Sequence, residues 1–349
     1  MNTPLTFKPA YKDYIWGGDR LSKQFHRVGT PTPCAESWEI SAHPDGASIV
    51  AQGKYEGRSL PDLASEFGVA LMGTKTPDPT RFPLLFKLID ARDKLSVQVH
   101  PNNANAALTH GEPKTEMWCV LDRVQGSSLY AGLREGTTPE LLRAALVDGT
   151  ADKCLIEVRV NPGDAIFIPG GLVHAIGDGC LIYEVQQNSN TTYRLYDWNR
   201  VGADGKPRPL HIEESFKTIE WDNGRMRECA EQTCAEDEHP DAKYERSFEA
   251  SGAGARSGIP RWSGNARMDG YQSLVSCAFF QVGKFALAGS TSVAHDGTTF
   301  TALFVEDGNV SVEAGSETVQ LANGMSCLIP AGAQKFTFSG NASLIITTL

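Results

Sequence analysis

The sequence has no paired cysteine motif, although it contains 8 cysteines in 349 residues. Five of them fall singly in apolar, strand-like runs, namely Cys119, Cys154, Cys180, Cys277 and Cys327. A free cysteine in such a run behaves as a small hydrophobic side chain. The missing C-x-x-C pair argues against a disulfide framework and favours a reducing compartment. Cys229 and Cys234, in a polar stretch, are the one pair left open.

Long hydrophobic runs are also missing. No stretch approaches the roughly 20 apolar residues that a membrane-spanning helix needs. The first nine residues have no apolar core of the kind found in signal peptides. The composition, 41% hydrophobic and 21% charged, is ordinary for a globular protein. We therefore expect a soluble, cytoplasmic protein without a membrane partner.

Basic residues are fewer than acidic residues. The chain has 32 lysines and arginines against 42 aspartates and glutamates, which gives a net charge of −10. This balance disfavours nucleic acid or an anionic membrane as a partner. An anionic small molecule would need a locally positive pocket.

Helical patterns are few, and most of the chain reads as short strands separated by turn residues. Residues 138–146 open with a threonine N-cap and a proline, and their apolar residues have helical spacing. Residues 61–67 and 212–216 predict shorter helices. The fold class predicted is all-β, of the sandwich or barrel type, with a few helices covering the sheets.

The composition changes between residues 222 and 270, where charged residues, glycine and serine replace the aliphatic pattern. We interpret this stretch as a polar linker. Strand-like runs return at 279–287, 300–305, 309–312, 326–329 and 344–347. The prediction is therefore one domain over 1–221 and a second β-domain over 271–349.

An internal repeat connects the two predicted domains. Residues 161–174 align without a gap with residues 322–335, and Gly163, Ile168, Pro169 and Gly171 recur at the same offsets. Both copies fit a strand, a glycine and proline turn, and a second strand of a jelly roll.

Four side chains that can bind a metal lie in or beside short apolar segments. Gln98 and His100 are two residues apart, so on a strand they point to the same face. Glu116 and His174 come from later segments, each beside a turn. Since a buried polar group needs a partner, we interpret the set as a metal site rather than a chance coincidence.

The chemistry of the four side chains indicates a catalytic metal. Two imidazoles, one carboxylate and one amide oxygen would accept Zn²⁺, with Fe²⁺, Mn²⁺ or Co²⁺ as substitutes. No thiolate takes part, which argues against a closed structural zinc site. The second copy of the repeat has Lys335 in place of His174, so the C-terminal domain is predicted to be metal-free.

These motifs resemble a known family, the type I phosphomannose isomerases, and in particular its short bacterial form. The resemblance runs from about residue 7 to residue 221, and its motifs recur in the family's order and approximate spacing. The matching segments are 35–41, 95–101, 114–118, 171–175 and 192–197. Beyond residue 221 the match fades into general architecture.

The resemblance implies two cupin-type jelly-roll domains and a zinc-dependent conversion of mannose 6-phosphate into fructose 6-phosphate through an enediol. It implies one Zn²⁺ per chain, bound by Gln98, His100, Glu116 and His174. It also implies a catalytic Arg194. Three further residues, Ser96, Lys87 and Lys114, become candidates for contacts with the phosphate or the sugar hydroxyls, and Lys114 is also a candidate catalytic residue.

The residues themselves support these roles unequally. Lys87 is a lone charge in an apolar run and needs an anionic or carboxylate partner. Lys114 and Ser96 are each two residues before a metal ligand, which predicts that they share its face. Without the resemblance, Arg194 fits stacking on rings or pairing with Asp197 as well as it fits catalysis.

Two other functions compete with the isomerase. A cupin-type oxygenase is possible because a His/Glu site also binds Fe²⁺, but the glutamine ligand and the nearby cations favour a phosphosugar. A non-catalytic sugar-sensing cupin would predict a damaged site, whereas all four ligand residues are present. The expected partner is thus a small phosphosugar, and the sequence leaves the oligomeric state open.

Overall fold

A computed structural model of the chain describes residues 1–202, 205–221 and 271–349. The predicted linker, 222–270, lies outside the described residues, as do Cys229 and Cys234. The division of the chain into domains at these boundaries therefore stays a prediction.

Strands dominate the described residues, as predicted for an all-β fold. The N-terminal strands are β1 (Phe7–Lys8), β2 (Ala10–Lys12), β3 (Glu36–Ser41), β4 (Ile49–Val50), β5 (Leu84–Ala91), β6 (Val97–Val99), β7 (Glu116–Arg123), β8 (Ser128–Leu133), β9 (Leu155–Arg159), β10 (Ala165–Ile168), β11 (His174–Ile176), β12 (Cys180–Gln187) and β13 (Tyr193–Tyr196). The C-terminal strands are β14 (Tyr271–Ser276), β15 (Gln281–Ala294), β16 (Thr301–Ala314), β17 (Glu317–Ala322), β18 (Ser326–Ile329) and β19 (Lys335–Thr348).

Helices are short, and the three predicted ones are confirmed. The α-helices in the described residues are α1 (Arg20–Gln24), α2 (Leu60–Phe67), α3 (Val69–Met72), α4 (Pro139–Val147) and α5 (Ile212–Thr218). Single 3₁₀ turns occupy Ala106–Thr109 and Ala151–Cys154. The side chains of Ser59 and Thr138 accept hydrogen bonds from the first turns of α2 and α4, which fixes where these helices begin. In the described residues no helix is long and apolar enough to cross a membrane.

Two large antiparallel sheets form most of the N-terminal part, and β1 pairs with β4 in a separate two-stranded sheet. One large sheet has the strand order β10-β7-β12-β5-β3-β2, and the other has the order β13-β6-β11-β8-β9. Their facing side chains share an apolar cluster in which Trp118 and Ile182 of the first sheet meet Leu129 and Ile176 of the second. This packing of two sheets is the jelly-roll arrangement that the turn pattern predicts.

The C-terminal part is a single sheet in the order β14-β15-β19-β16-β17, and β18 also pairs with β16. The predicted strands at 300–305 and 309–312 form one strand, β16. Pairing with β19 shifts register between Val305 and Asp307, and Gly308 has a φ of 83°. This bulge explains why the sequence reads as two strands.

The internal repeat is confirmed by the placement of strands. Strands β10 and β18 occupy corresponding positions in the two copies, and β11 and β19 begin at the aligned residues His174 and Lys335. The His174 side chain is buried, whereas Lys335 is exposed. The two copies therefore share a backbone pattern but not a buried polar residue.

The N-terminal and C-terminal sheets share one apolar cluster. Tyr183 of β12 stacks on Phe304 of β16 with ring centroids 4.3 Å apart, and Leu5 pairs with Leu328 through an isolated bridge. Beside this cluster the guanidinium of Arg27 contacts the carboxylate of Glu39 at 2.6 Å. The same guanidinium donates to the carbonyl of Gly324, so the ion pair lies at the joint between the two parts.

Candidate active site

Three neighbouring strands and one facing strand bring the predicted ligands and Arg194 together. Strand β6 pairs with both β11 and β13, and this register places Gln98 opposite His174 on one side and opposite Arg194 on the other. His100 follows β6 directly, and Glu116 opens β7 in the facing sheet. Residues distant in the sequence thus meet because the two sheets pack face to face.

His100, Glu116 and His174 form a compact buried cluster. Their ligand atoms all lie within 4.8 Å of one another, and all three side chains are fully buried. The His174 Nε2 atom is 3.4 Å from Glu116 Oε1, and the His100 Nε2 atom is 3.5 Å from Glu116 Oε2. The two Nε2 atoms are 3.2 Å apart. Two imidazoles and a carboxylate converging in this way can hold a divalent cation.

Gln98 is the fourth predicted ligand and adjoins this cluster. Its side-chain amide nitrogen lies 3.3 Å from His174 Nε2. The oxygen and nitrogen of an amide are nearly identical in shape, and a half-turn about the last bond exchanges them. That turn would direct the oxygen of Gln98 at the cluster, as a metal ligand requires.

A cation already contacts the cluster. The Lys114 ammonium lies 2.8 Å from Glu116 Oε2 and 3.0 Å from His100 Nε2. A positively charged group thus already lies in contact with two of the candidate ligand atoms. The donor set and this contact together show that the residues present fit a bound metal ion.

Burial shifts the pKa values of the three side chains in the cluster. It lowers the pKa of His174 to about 3 and that of His100 well below its ordinary value, with Lys114 adding to the decrease at His100. Burial also raises the pKa of Glu116 to about 7, and the neighbouring Glu184 carboxylate adds to that rise. Neutral imidazoles are the form that binds a metal. A divalent cation would in turn offset the cost of a buried Glu116 carboxylate.

A cavity of about 270 Å³ opens beside the cluster. Its wall includes every predicted site residue outside the cluster, namely Lys87, Ser96, Gln98, Lys114 and Arg194. Gln98 and Lys114 therefore separate the open cavity from the buried cluster. Apolar side chains, among them Trp16 and Ile176, and the carboxylates of Glu36 and Glu184 form further parts of the wall.

Lys87 has the carboxylate partner that the sequence required. Its ammonium lies 3.0 Å from Glu184 Oε1 and 3.8 Å from Glu36 Oε2. The indole of Trp118 donates to Glu184, and that of Trp38 donates to Glu36. Burial alone would lower the pKa of Lys87, but the two carboxylates raise it above its ordinary value. Lys87 is thus a charged group whose charge is balanced by two carboxylates.

Arg194 does not pair with Asp197, which was one sequence-based alternative. Asp197 instead contacts Arg200 at 2.5 Å and Arg208 at 2.6 Å. Arg194 donates to the carbonyl of Pro209 at 2.9 Å. Burial lowers its pKa from the ordinary arginine value, and the nearby Arg208 lowers it further. Its charge thus faces the cavity beside a second guanidinium.

The sequence reasoning missed several cavity residues. Arg208, Tyr14, Asn190 and Thr192 all contribute to the wall. Each comes from a loop or from a segment without strand periodicity, so spacing gave no signal. Thr192 does open the matching segment 192–197, and Arg208 belongs to a short basic stretch after β13 in an acidic protein.

Comparisons with known proteins are consistent along the whole chain. A family model for the catalytic domain of type I phosphomannose isomerase matches residues 5–118, and a model for the cupin domain of mannose-6-phosphate isomerase matches residues 271–349. The chain is 35% identical over 348 residues to the mannose-6-phosphate isomerase ManA of Bacillus subtilis, covering 99% of both. The chain belongs to the type I phosphomannose isomerases.

Other relatives agree with this chain in length and architecture. The mannose-6-phosphate isomerase of Streptococcus mutans is 33% identical over 348 residues, covering 99% of this chain and 98% of that protein. A crystal structure of the Bacillus subtilis mannose 6-phosphate isomerase matches with a TM-score of 0.79 and 28% identity, over 99% of this chain and 100% of that one.

A variant of the phosphomannose isomerase from Salmonella typhimurium shares the fold, with a TM-score of 0.68 and 19% identity over 99% of each chain. Membership of this family confirms the predicted cupin-type, all-β fold and the enzyme class. It favours the isomerase over the oxygenase and the sugar sensor.

Proposed function

We propose that this chain interconverts mannose 6-phosphate and fructose 6-phosphate through an enediol intermediate, using one Zn²⁺ ion. Gln98, His100, Glu116 and His174 would hold the ion. The observation that carries the proposal is the buried His100, Glu116 and His174 cluster, which lies behind the Gln98 and Lys114 side chains of a cavity rich in cations. The names of the full-length relatives support the choice of substrate.

The reaction moves a proton between neighbouring carbons while their oxygens exchange carbonyl and hydroxyl roles. A divalent cation at the cluster would polarise these substrate oxygens, which is worth several kcal/mol when negative charge develops. The Lys114 ammonium can donate to the same oxygens because it lies between the cluster and the cavity. Arg194 can stabilise developing negative charge from another side of the cavity.

The remaining cavity residues would bind and orient the sugar. Ser96 presents a hydroxyl in the cavity wall next to Gln98, and Lys87 presents an ammonium held in place by two carboxylates. Fixed donors of this kind align the hydroxyls of an opened sugar chain. The apolar wall formed by Trp16 and Ile176 would limit access of water to the reacting carbons.

The two parts of the chain would have different roles. Residues 1–221 contain every residue assigned to the site, so we propose that they form the catalytic, metal-binding domain. Residues 271–349 have Lys335 at the position of His174 and would form a metal-free domain that supports it.

The test is a coupled assay of fructose 6-phosphate formation from mannose 6-phosphate, combined with metal analysis of the purified protein. We expect about one zinc per chain, loss of activity after dialysis against a chelator, and recovery when zinc is added back. Full activity in chelator-treated protein that contains no metal would refute the proposal.

A further inference from the structure

Two arginines pair with the carboxylate of Asp197, and a third arginine lies near them in the wall of the cavity. Asp197 accepts from Arg208 at 2.8 and 2.6 Å, through both of its oxygens. It also accepts from Arg200, whose guanidinium is fixed by the backbone carbonyl of Lys94. Arg194 lines the same cavity as Arg208. Among the described residues at this place, these three guanidiniums face one carboxylate, which leaves a local surplus of two positive charges.

The segment that carries Arg208 is held firmly against β13. The carbonyl of Pro209 accepts from Arg194, and the backbone amide of His211 donates to the carbonyl of Arg194 at 2.8 Å. The backbone amide of Arg194 in turn donates to His211 Nδ1 at 3.1 Å. Asp197 therefore holds the guanidinium of Arg208, a residue whose backbone segment is already fixed by hydrogen bonds to Arg194. Such a group is ready to bind an anion without first losing much conformational entropy.

The two less exposed cations of the cavity, Lys87 and Lys114, differ from these arginines because each contacts a carboxylate of its own. Lys87 is neutralised by Glu184 and Glu36, and Lys114 contacts Glu116. Side-chain exposure is 22% for Arg208 but 5% for Lys87 and Lys114. Among the described residues, the excess positive charge of the cavity thus lies at its more exposed end, where a dianion can enter with part of its hydration shell.

We propose that Arg208 binds the phosphate of the substrate and that Asp197 is the positioning residue that orients it. This inference rests on the proposed function, and it assigns the phosphate to the outer arginines rather than to Lys87 or Ser96. Arg208 engages Asp197 through Nε and Nη2, which leaves other guanidinium protons for an anion. Arg194 adds to the positive field at the same end.

The experiment compares full-length Arg208→Met, Arg208→Lys and wild-type protein, all loaded with zinc. We expect Arg208→Met to raise the KM for mannose 6-phosphate about tenfold or more while kcat and zinc content stay near wild type. The inhibition constant of inorganic phosphate should rise in parallel. Arg208→Lys should lie between the two, because lysine keeps the charge but loses the planar donor geometry.

A matched control is Arg58→Met, which removes an arginine that pairs with Glu66 on the surface. Its KM should equal that of the wild type. Asp197→Asn adds a positioning readout: we expect a raised KM that approaches that of Arg208→Met, at unchanged kcat. Thermal unfolding is recorded for each variant, so that loss of folding is distinguished from loss of binding.

Two results overturn the inference. One is a KM and a phosphate inhibition constant in Arg208→Met within twofold of wild type. The other is an equal weakening of mannose 6-phosphate and of unphosphorylated mannose, which would place Arg208 at the sugar. A wild-type protein that fails to convert mannose 6-phosphate would instead refute the proposed function. In that case calorimetric binding of inorganic phosphate to wild type and Arg208→Met still decides the role of Arg208.

Discussion

Arg194 differs from the other cavity cations because its guanidinium donates to a backbone carbonyl and its neighbour Asp197 is occupied by other arginines. We expect Arg194→Ala to reduce kcat by about 10²–10³-fold, as removal of a donor to a developing oxyanion does elsewhere. Bound zinc should remain, because Arg194 is not a ligand. Steady-state kinetics and metal analysis on the same preparation test this. Unchanged kcat, or loss of zinc together with activity, would contradict the assignment.

The contribution of Ser96 to sugar binding can be measured with a single substitution. We expect Ser96→Ala to raise the KM for mannose 6-phosphate about fivefold with little change in kcat, because one hydrogen bond of about 1 kcal/mol is lost. Ser290→Ala is a suitable control, since Ser290 is exposed and bonds only to Ser339 among the described residues. If both variants behave alike, Ser96 does not contact the substrate.

At the residue scale, the sequence predicted which side chains meet but not how their charges balance. The alternation of a strand placed Gln98 and His100 on one face, and the structure joins them with Glu116 and His174. Arg208 gave no such signal, because its position depends on how a loop folds back onto β13. The partners of Lys87 come from β3 and β12, so only the sheet register could identify them.

At the scale of elements, the repeat relates β10 and β11 to β18 and β19. We expect Lys335→Ala to leave turnover and zinc content unchanged, because Lys335 is exposed where His174 is buried. The variant should also keep the wild-type unfolding midpoint. Activity and metal analysis test this directly. Loss of activity without unfolding would mean that the C-terminal sheet contributes to the site.

Element boundaries show where sequence patterns stop being informative. The helices with a capping side chain and a proline in the first turn, α2 and α4, were found almost to the residue, because capping is a local interaction. Helices α1 and α3 were missed because they are one turn long and lack a side-chain cap. Strand β16 read as two strands because its bulge places a glycine in mid-strand.

The whole molecule depends on the joint between its N-terminal and C-terminal sheets. Glu39 is buried there, and it accepts from Arg27 at 2.6 Å and from Ser326 at 3.4 Å. We expect Glu39→Ala to lower the free energy of unfolding by about 3–5 kcal/mol, since it leaves the Arg27 charge in a largely buried place without its carboxylate. Denaturant unfolding measures the change.

The control for this prediction is Glu66→Ala, which removes the carboxylate of the exposed Arg58 pair. An exposed pair of this kind contributes little, so no measurable change is expected. Equal stability of Glu39→Ala and wild type would show that the two parts do not depend on the ion pair. No sequence pattern indicated this joint, because its contacts link residues nearly 300 positions apart.

The central claim is that His100, Glu116 and His174, with Gln98, bind the metal on which isomerisation depends. The most direct measurement is zinc content and fructose 6-phosphate formation in full-length His174→Ala beside the wild type. We expect a folded variant with much less bound zinc and with most of its activity lost, because the cluster loses one of its ligands. Full zinc occupancy with near-normal turnover in His174→Ala would contradict the claim.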